Sequence, residues 1–325
     1  MKQSLFEARH KAEWERFTLA LERLEHGKDT SQVAAFPKAY RRLCQHLALA
    51  QERGYSSFLI DSLQQQVLRG HQQLYRHRSR FGANLLGFIL ADFPRRVRAE
   101  WPFVLAAALL FFGSLIGFAL LVYGYPELIY NLIPAEQVRE MQSMYDPVAG
   151  HLGRSAERAA SEDWVMFGYY VMHNIGIAFQ TFASGLLLGV GSGFFLFYNG
   201  LIIGAVAGHL SEIGFGQTFW SFVIGHGAFE LTAIALAGAA GLKLGWAVIA
   251  PGRLTRGEAL VEAARKSVLL VCGVMLLLLI AAFVEAYWSS KTSVTPQTKY
   301  LVGAALWAAV AAYLLFAGRT RHAPE

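Results

Sequence analysis

Long apolar runs occupy most of the chain after residue 101. They cover residues 102–124, 165–190, 194–211, 219–249, 268–288 and 299–317. A helix rises about 1.5 Å per residue, so about 20 apolar residues cross the hydrocarbon core of a bilayer. Charged residues make up only 16% of the chain, which is ordinary for a membrane protein. The sequence therefore predicts an all-α, polytopic membrane protein with about six transmembrane helices.

The count of six depends on how the apolar stretch 165–211 is divided. This stretch is too long for one crossing and long enough for a hairpin, and Gly191-Ser192-Gly193 marks the expected break. The resulting span 194–211 is the shortest, so a re-entrant segment is an alternative to a full crossing. The element 219–249 exceeds the length that one crossing needs, so we expect it to tilt or protrude.

The first 80 residues differ from the rest because apolar positions recur at helical spacing among many charges. Trp14, Phe17, Leu21 and Leu24 form one such series. Residues 1–100 hold 17 Lys and Arg against 10 Asp and Glu. The acidic residues are interleaved with the basic ones and the aromatic residues form no stacking platform, so no nucleic acid partner is expected. A basic, helical cytoplasmic domain is predicted for residues 1–80.

Residues 81–101 combine an apolar series with a basic cluster. The apolar series ends at Phe93 and is followed by Arg95, Arg96 and Arg98. A helix that lies on an anionic leaflet has this pattern. We therefore expect an amphipathic interfacial helix whose arginines face the membrane surface. A plain linker helix packed on the N-terminal domain is the alternative.

The charges of the loops predict the orientation in the membrane. The loop 125–163 holds 3 Arg against 7 acidic residues, whereas the loop 250–267 is basic. Because cytoplasmic loops are enriched in Lys and Arg, we expect the loop 250–267, both termini and the tail 318–325 in the cytoplasm. The transmembrane domain 102–317 would then lie in the cytoplasmic membrane, with the loop 125–163 outside and the lipid bilayer as a partner.

Polar side chains fall at a similar depth in three of the predicted spans. His226 and Glu230 lie four residues apart, so they share one face of a helix. Measured from the outer face, they lie about 10 and about 16 Å deep. His173, Asn174 and Asn199 lie about 13 to 18 Å deep on two other spans. Ionisable residues at membrane depth are costly and usually functional, so these five residues form the candidate site.

The sequence leaves three interpretations of this cluster open. Interhelical hydrogen bonding alone is the plainest, because membrane helices use polar side chains in this way. A metal site is the second, with His226, Glu230 and His173 supplying imidazole and carboxylate ligands. A proton or ion relay is the third. Apart from such a metal ion, no cofactor is expected.

Glycines repeat at intervals of four residues in and beside the second and third predicted spans. The two series are Gly185, Gly189, Gly193 and Gly200, Gly204, Gly208. Small residues at this spacing let helix backbones approach closely, as in a glycine zipper. We expect a tight core of spans two to four around the polar cluster. Spans one, five and six would then face lipid or a partner, so a homo-oligomer is expected.

Six short motifs stand out, three before the first span and three within the membrane part. They are Trp14-Glu-Arg-Phe17, Leu68-Arg-Gly-His-Gln-Gln-Leu-Tyr75, Asp92-Phe-Pro-Arg-Arg-Val-Arg98, His173-Asn-Ile-Gly-Ile-Ala-Phe179, Tyr198-Asn-Gly200 and His226-Gly-Ala-Phe-Glu230. Together they resemble the stage II sporulation protein M family of integral membrane proteins. His173 departs from the family pattern, which favours Asn there. The resemblance implies a membrane assembly role and supplies no catalytic activity.

These observations lead to one function hypothesis and two alternatives. The leading hypothesis is a non-enzymatic scaffold that organises or localises cell-envelope machinery together with protein partners. The alternatives use the His226 and Glu230 cluster, either in an intramembrane metal-dependent enzyme or in a small ion- or proton-coupled transporter.

Overall fold

The computed structural model describes residues 2–25, 36–74, 81–149 and 160–319, and these residues contain helices and no strands. The chain divides into two compact units, Met1–Gly82 and Ala83–Glu325. The all-α prediction is confirmed. Parts of the predicted outer loop 125–163 and of the tail 318–325 lie outside the described residues, as does the end of the predicted domain 1–80.

The N-terminal unit contains three helices, α1 (Gln3–Glu25), α2 (Phe36–Glu52) and α3 (Ser57–Leu74). Their buried side chains follow helical spacing and meet in one core, formed by Phe6, Trp14, Phe17, Leu21, Phe36, Leu43, Ala50, Leu59 and Leu63. The absence of a side chain at Gly70 lets α3 pack closely on this core. A Cβ there would lie 2.8 Å from the ring of Phe17, which is too close. Burial of this apolar face stabilises the three helices, which carry their charges on the opposite side.

The second unit begins with short helices and continues with long ones. The short helices are α4 (Phe81–Gly87) and α5 (Phe93–Ala99), and α7 (Ile129–Leu132) and α8 (Ala135–Tyr145) follow the first long helix. The long helices are α6 (Trp101–Gly124), α9 (Ala160–Ala183), α10 (Val190–Glu212), α11 (Gly216–Ile249), α12 (Arg256–Val284) and α13 (Pro296–Phe316).

Among the described residues, five helices are long and apolar enough to cross a membrane. They are α6, α10, α11, α13 and α12 with its continuation to Ser289. The chain is therefore a polytopic membrane protein. The remaining predicted span, 165–190, corresponds to α9, which has 24 residues but carries His173, Asn174 and Gln180 within its apolar run. A crossing by α9 stays a prediction.

The turn between α9 and α10 lies earlier than the sequence suggested. A 3₁₀ turn at Ser184–Leu186 is followed by Leu188 and Gly189 with φ angles of 54° and 81°, and these left-handed residues reverse the chain. Gly191-Ser192-Gly193 instead lies inside α10, where the Ser192 hydroxyl donates to the Thr181 carbonyl over 2.6 Å. The predicted break at 191–193 was therefore wrong.

Helix α10 packs chiefly against α6, which differs from the predicted core of spans two to four. Gly200, Gly204 and Gly208 face the backbone of α6, and a Cβ at Gly204 would lie only 2.2 Å from the Leu115 carbonyl oxygen. One face of span one therefore packs on α10, while most of its surface stays exposed, as expected for a helix that faces lipid or a partner. The central helix is α11, which contacts α6, α9, α10, α12 and α13.

The other glycine series does not form one stripe. Gly185 lies in the 3₁₀ turn, where a Cβ would meet the Gly241 carbonyl oxygen at 2.2 Å. Gly189 precedes α10 with a left-handed backbone, and Gly193 lies within α10. The interval of four residues therefore spans a turn, and Gly185 and Gly189 make their close backbone approach to α11 from this turn.

Residues 81–99 form one continuous helical run, in which a π-helical turn at Phe88–Asp92 lies between α4 and α5. Phe93 and Val97 are buried in a core shared with α11 and α12. The predicted helix is therefore present, with its α5 part packed into the membrane unit, and its position at the membrane interface stays a prediction.

The basic residues of α5 contact other parts of the same unit. The guanidinium of Arg95 donates to the Gly318 carbonyl over 2.6 Å, and that of Arg98 donates to the Leu314 and Ala317 carbonyls over 2.6 and 2.7 Å. Arg96 lies 3.7 Å from Glu100. Arg95 and Arg98 thus balance the partial negative charge of the carbonyl groups at the C-terminal end of α13. Their predicted contact with the membrane surface stays a prediction.

Candidate functional site

Three ionisable side chains converge between α11 and the end of α12. His226 and Glu230 lie one turn apart on α11, and Glu285 begins a π-helical turn, Glu285–Ser289, that continues α12. One ligand atom from each of these three side chains lies within 4.8 Å of the other two. His226 and Glu285 are buried, whereas Glu230 is partly accessible. The geometry is that of an imidazole–dicarboxylate cluster.

The π-helical turn supplies two of the groups that build the cluster. Besides Glu285 it carries Ser289, whose hydroxyl lies 3.0 Å from Nδ1 of His226. The buried ammonium of Lys299 donates to the Ser289 carbonyl over 2.7 Å and so ties this turn to α13. Single π-helical turns often occur at functional sites, and here one places a carboxylate and a hydroxyl against α11.

The ring of His226 is oriented by its neighbours. With Nδ1 held by Ser289, Nε2 is the ring nitrogen available to a further ligand. The ring edge of Phe222 packs against the imidazole, with a distance of 5.2 Å between the ring centroids. Metal-binding histidines commonly use one ring nitrogen for an outer hydrogen bond and the other for the metal. His226 has that arrangement.

A cavity of about 540 Å³ adjoins the cluster. Glu230 and Glu285 form part of its wall, α9 and α10 form its sides, and α8 covers it through Gln137, Glu140, Met141, Met144 and Tyr145. A ligand in this space would therefore reach both carboxylates. A cavity with mixed apolar and polar walls and convergent ionisable groups is a usual form of a ligand site.

Most of the polar residues predicted from the sequence line this cavity. His173, Asn174 and Asn199 do so together with Glu230, whereas His226 lies behind the wall beside Ser289. The Asn199 amide donates to the Phe195 carbonyl over 2.7 Å, within its own helix. The three helices therefore contribute to one site, although not every member contacts the others.

His173 does not occupy the ligand position that the sequence suggested. Its ring is exposed and stacks on Tyr169, with 5.6 Å between the ring centroids. Among the described residues, the third member of the close cluster is Glu285 instead. From the sequence alone, the place of Glu285 near the outer end of span five favours an ordinary solvated helix end, and the burial of its side chain shows that this expectation is wrong. The sequence signal that could have identified Glu285 is an acidic residue within an apolar span, because such residues are usually functional.

Asn174 adds a polar atom beside the cluster. Its side chain is 5% exposed and lies next to the Glu230 carboxyl group. Within the described residues, its Nδ2 atom is buried and makes no hydrogen bond. Buried donors are normally satisfied, and the Glu230 carboxyl group beside Asn174 is the acceptor that this amide can engage at the wall of the cavity.

A second group of three, His10, Glu13 and His46, occurs in the N-terminal unit, and its ligand atoms also lie within 4.8 Å of one another. The indole N–H of Trp14 donates to Nδ1 of His46 over 3.1 Å. An indole nitrogen only donates, so Nδ1 of His46 must accept and Nε2 must carry the proton of the neutral ring. His46 therefore has no lone pair left for a metal while this bond is intact. Burial, and then the nearby His10, lower the pKa of His46.

The fold and the site together define a multi-helix membrane protein with an imidazole–dicarboxylate cluster within its helical core. The chain belongs to the stage II sporulation protein M family, because the family model matches residues 106–290, more than half of the chain. This match confirms the resemblance and contains every residue of the cluster. Residues 4–76 match a second family model, described as a domain of unknown function (DUF8413). No curated protein and no solved structure matches the chain.

Proposed function

We propose that the membrane unit binds a divalent cation at His226, Glu230 and Glu285 and is a metal-dependent hydrolase. The observation that carries this proposal is the mutual approach of the three ligand atoms within 4.8 Å, next to a cavity of about 540 Å³. Catalytic zinc sites typically have three protein ligands and an open position for water or substrate. A cluster with one side facing a cavity fits that pattern.

Charge supports a cation at this position. Two carboxylates within 4.8 Å of each other repel, and the low dielectric of a helical core strengthens that repulsion. A divalent cation relieves it and uses the carboxylate oxygens and the imidazole nitrogen as ligands. This donor set suits Zn²⁺ or Mn²⁺.

The protein groups around the cluster have distinct parts in the proposed reaction. When bound, the cation would polarise the scissile group and acidify a water molecule. Ser289 holds the His226 ring, and Asn174 lies beside the Glu230 carboxyl group, where its amide can orient that ligand. The water oxygen bonds to the acyl carbon or phosphorus, the bond to the leaving oxygen breaks, and the leaving oxygen takes a proton.

The direct test is elemental analysis of the purified protein in mild detergent, with Glu285→Gln and His226→Ala beside the wild type. We expect stoichiometric divalent metal in the wild type and loss of it in both variants. Glu140→Gln is the matched control, because Glu140 lines the same cavity outside the cluster. Wild-type protein without metal after reconstitution in Zn²⁺ or Mn²⁺ would overturn the proposal. Proton flux in liposomes would then support the relay alternative.

A scaffold in the cell envelope is the second candidate, and the N-terminal unit favours it. Phe58 is 84% exposed on α3, which is unusual for a large aromatic side chain on a helix outside the membrane spans. An exposed aromatic side chain of this kind can bind an apolar surface of a protein partner. With the orientation expected from the loop charges, that partner would be cytoplasmic and the cavity would open in the outer half of the membrane. Co-purification of a partner that Phe58→Ser abolishes, with metal content unchanged, would support this role.

A further inference from the structure

Helices α9 and α10 diverge from the turn that joins them. Helix α9 packs mainly on α11 and α12, whereas α10 packs mainly on α6. The two helices meet near the 3₁₀ turn, where Ser192 bonds the Thr181 carbonyl. Away from that turn they are separated by the cavity. The result is a wedge between α9 and α10, which α8 also lines.

The rims of this wedge are both exposed and part of the cavity wall. Tyr169 on α9 is 38% exposed and Tyr198 on α10 is 48% exposed, and both line the cavity. His173, one turn from Tyr169, is likewise exposed and lines it. Because α10 is apolar and long enough to span the membrane, its exposed side faces the hydrocarbon. The cavity is therefore open sideways, toward the bilayer.

The wall of the cavity has both aliphatic and polar parts. Ile177, Ile202, Ile203 and Val206 supply aliphatic side chains, and Ile234 lies on α11 one turn from Glu230. Polar side chains come from the cluster, from Asn174 and Asn199, and from Gln137 and Glu140 on α8. A wall of this mixed kind fits a molecule with an apolar chain and a polar linkage, because the chain can lie on the aliphatic side chains and the linkage beside the polar ones.

We propose that the cavity takes its ligand sideways from the bilayer through the gap between α9 and α10, and that this ligand is a glycerophospholipid. The acyl chain lies against the aliphatic wall, and the ester or phosphodiester linkage lies beside Glu230 and Glu285. This inference rests on the proposed function, since it names the substrate class of the same site. Lateral entry removes the need to pull an acyl chain through water.

The test uses the full-length protein reconstituted in nanodiscs of phosphatidylethanolamine and phosphatidylglycerol, then released into mild detergent for native mass spectrometry. Ile202→Trp places a large ring in the gap, and Leu201→Trp is the matched control, because Leu201 is adjacent on α10 and does not line the cavity. We expect the wild type and Leu201→Trp to retain phospholipid and Ile202→Trp to lose the tightly held lipid. The difference between the variants is the readout, because lipid on other apolar faces contributes equally to both.

Equal lipid retention by Ile202→Trp and Leu201→Trp overturns the inference. Thermal unfolding of both variants shows whether they are folded, and Val206→Phe, another change in the cavity wall, replaces Ile202→Trp if that variant unfolds. Metal content measured on the same samples separates the two proposals. Metal present without a lipid difference refutes lateral lipid entry alone, whereas a lipid difference without metal refutes the hydrolase and leaves the lipid site.

Discussion

Nδ1 of His226 lies 3.0 Å from Oγ of Ser289, a residue 63 positions later in the chain. This contact joins α11 to the π-helical turn that also carries Glu285. The same turn is held from the other side by Lys299, whose ammonium bonds the Ser289 carbonyl. The imidazole and the second carboxylate of the cluster are therefore positioned by one hydroxyl and one buried lysine.

Ser289→Ala should weaken cation binding without unfolding the protein. The change removes the partner of Nδ1 and leaves the ring of His226 free to rotate, and loss of such outer hydrogen bonds typically costs about 10- to 100-fold in metal affinity. Zn²⁺ affinity measured by competition with a chromophoric chelator tests this. Ser290→Ala is the control, because the Ser290 hydroxyl bonds the Ala286 carbonyl in its own helix. Equal affinities in the two variants would show that Ser289 does not orient the ligand.

Gly204→Ala should destabilise the packing of α10 on α6. A Cβ there would lie 2.2 Å from the Leu115 carbonyl oxygen, so the two helices would have to separate, at a cost of about 1–3 kcal/mol. Thermal unfolding in detergent measures the change. Gly113→Ala on α6 is the matched control, since a Cβ at Gly113 meets nothing within 4 Å in the described structure. A melting temperature that is equal or higher in Gly204→Ala would contradict the packing of α10 on α6.

Arg98→Met should loosen the end of α13. Arg98 donates to two carbonyls there, and hydrogen bonds from a charged donor contribute about 1.5–3 kcal/mol each. Hydrogen–deuterium exchange should rise at residues 314–319 and stay unchanged elsewhere. Arg265→Met, a change of an exposed arginine on α12, provides the comparison. If both variants exchange alike, Arg98 acts only through its charge at the membrane surface, as the sequence first suggested.

Stability of the N-terminal unit should fall as the pH drops below about 6.5, the ordinary pKa of histidine. Burial and then His10 lower the pKa of folded His46, Glu13 raises it and Arg42 lowers it further. The unfolded chain therefore binds this proton more readily, so His46 contributes its full stabilisation above the unfolded pKa and loses it as the pH falls toward the folded pKa.

Histidine chemical shifts measured by NMR on the full-length protein with labelled histidine test this pH dependence. We expect a pKa of His46 below its ordinary value and a rise of that pKa in Trp14→Phe, because the indole N–H that occupies Nδ1 is lost. A wild-type His46 with an ordinary or raised pKa would contradict the assigned tautomer.

The fold class and much of the site followed from the sequence because they depend on local pattern. Run lengths alone predict membrane spans, and an interval of four residues places His226 and Glu230 on one face. The role of Glu285 did not follow, because a π-helical turn changes which side of α12 faces α11. The packing of Gly204 on α6 did not follow either, since a small-residue repeat indicates a close contact but not which helix makes it. The turn before α10 depends on a left-handed backbone conformation at Leu188. Leucine rarely adopts this conformation, so the sequence gives no local signal for the turn.

X-ray absorption at the metal edge of the Zn²⁺-loaded protein tests the central claim most directly. The proposed site predicts one imidazole nitrogen and carboxylate oxygens at about 2.0–2.2 Å, and loss of the imidazole contribution in His226→Ala. A spectrum without nitrogen scattering from imidazole, or one that His226→Ala and Glu285→Gln leave unchanged, would contradict a metal centre at this cluster.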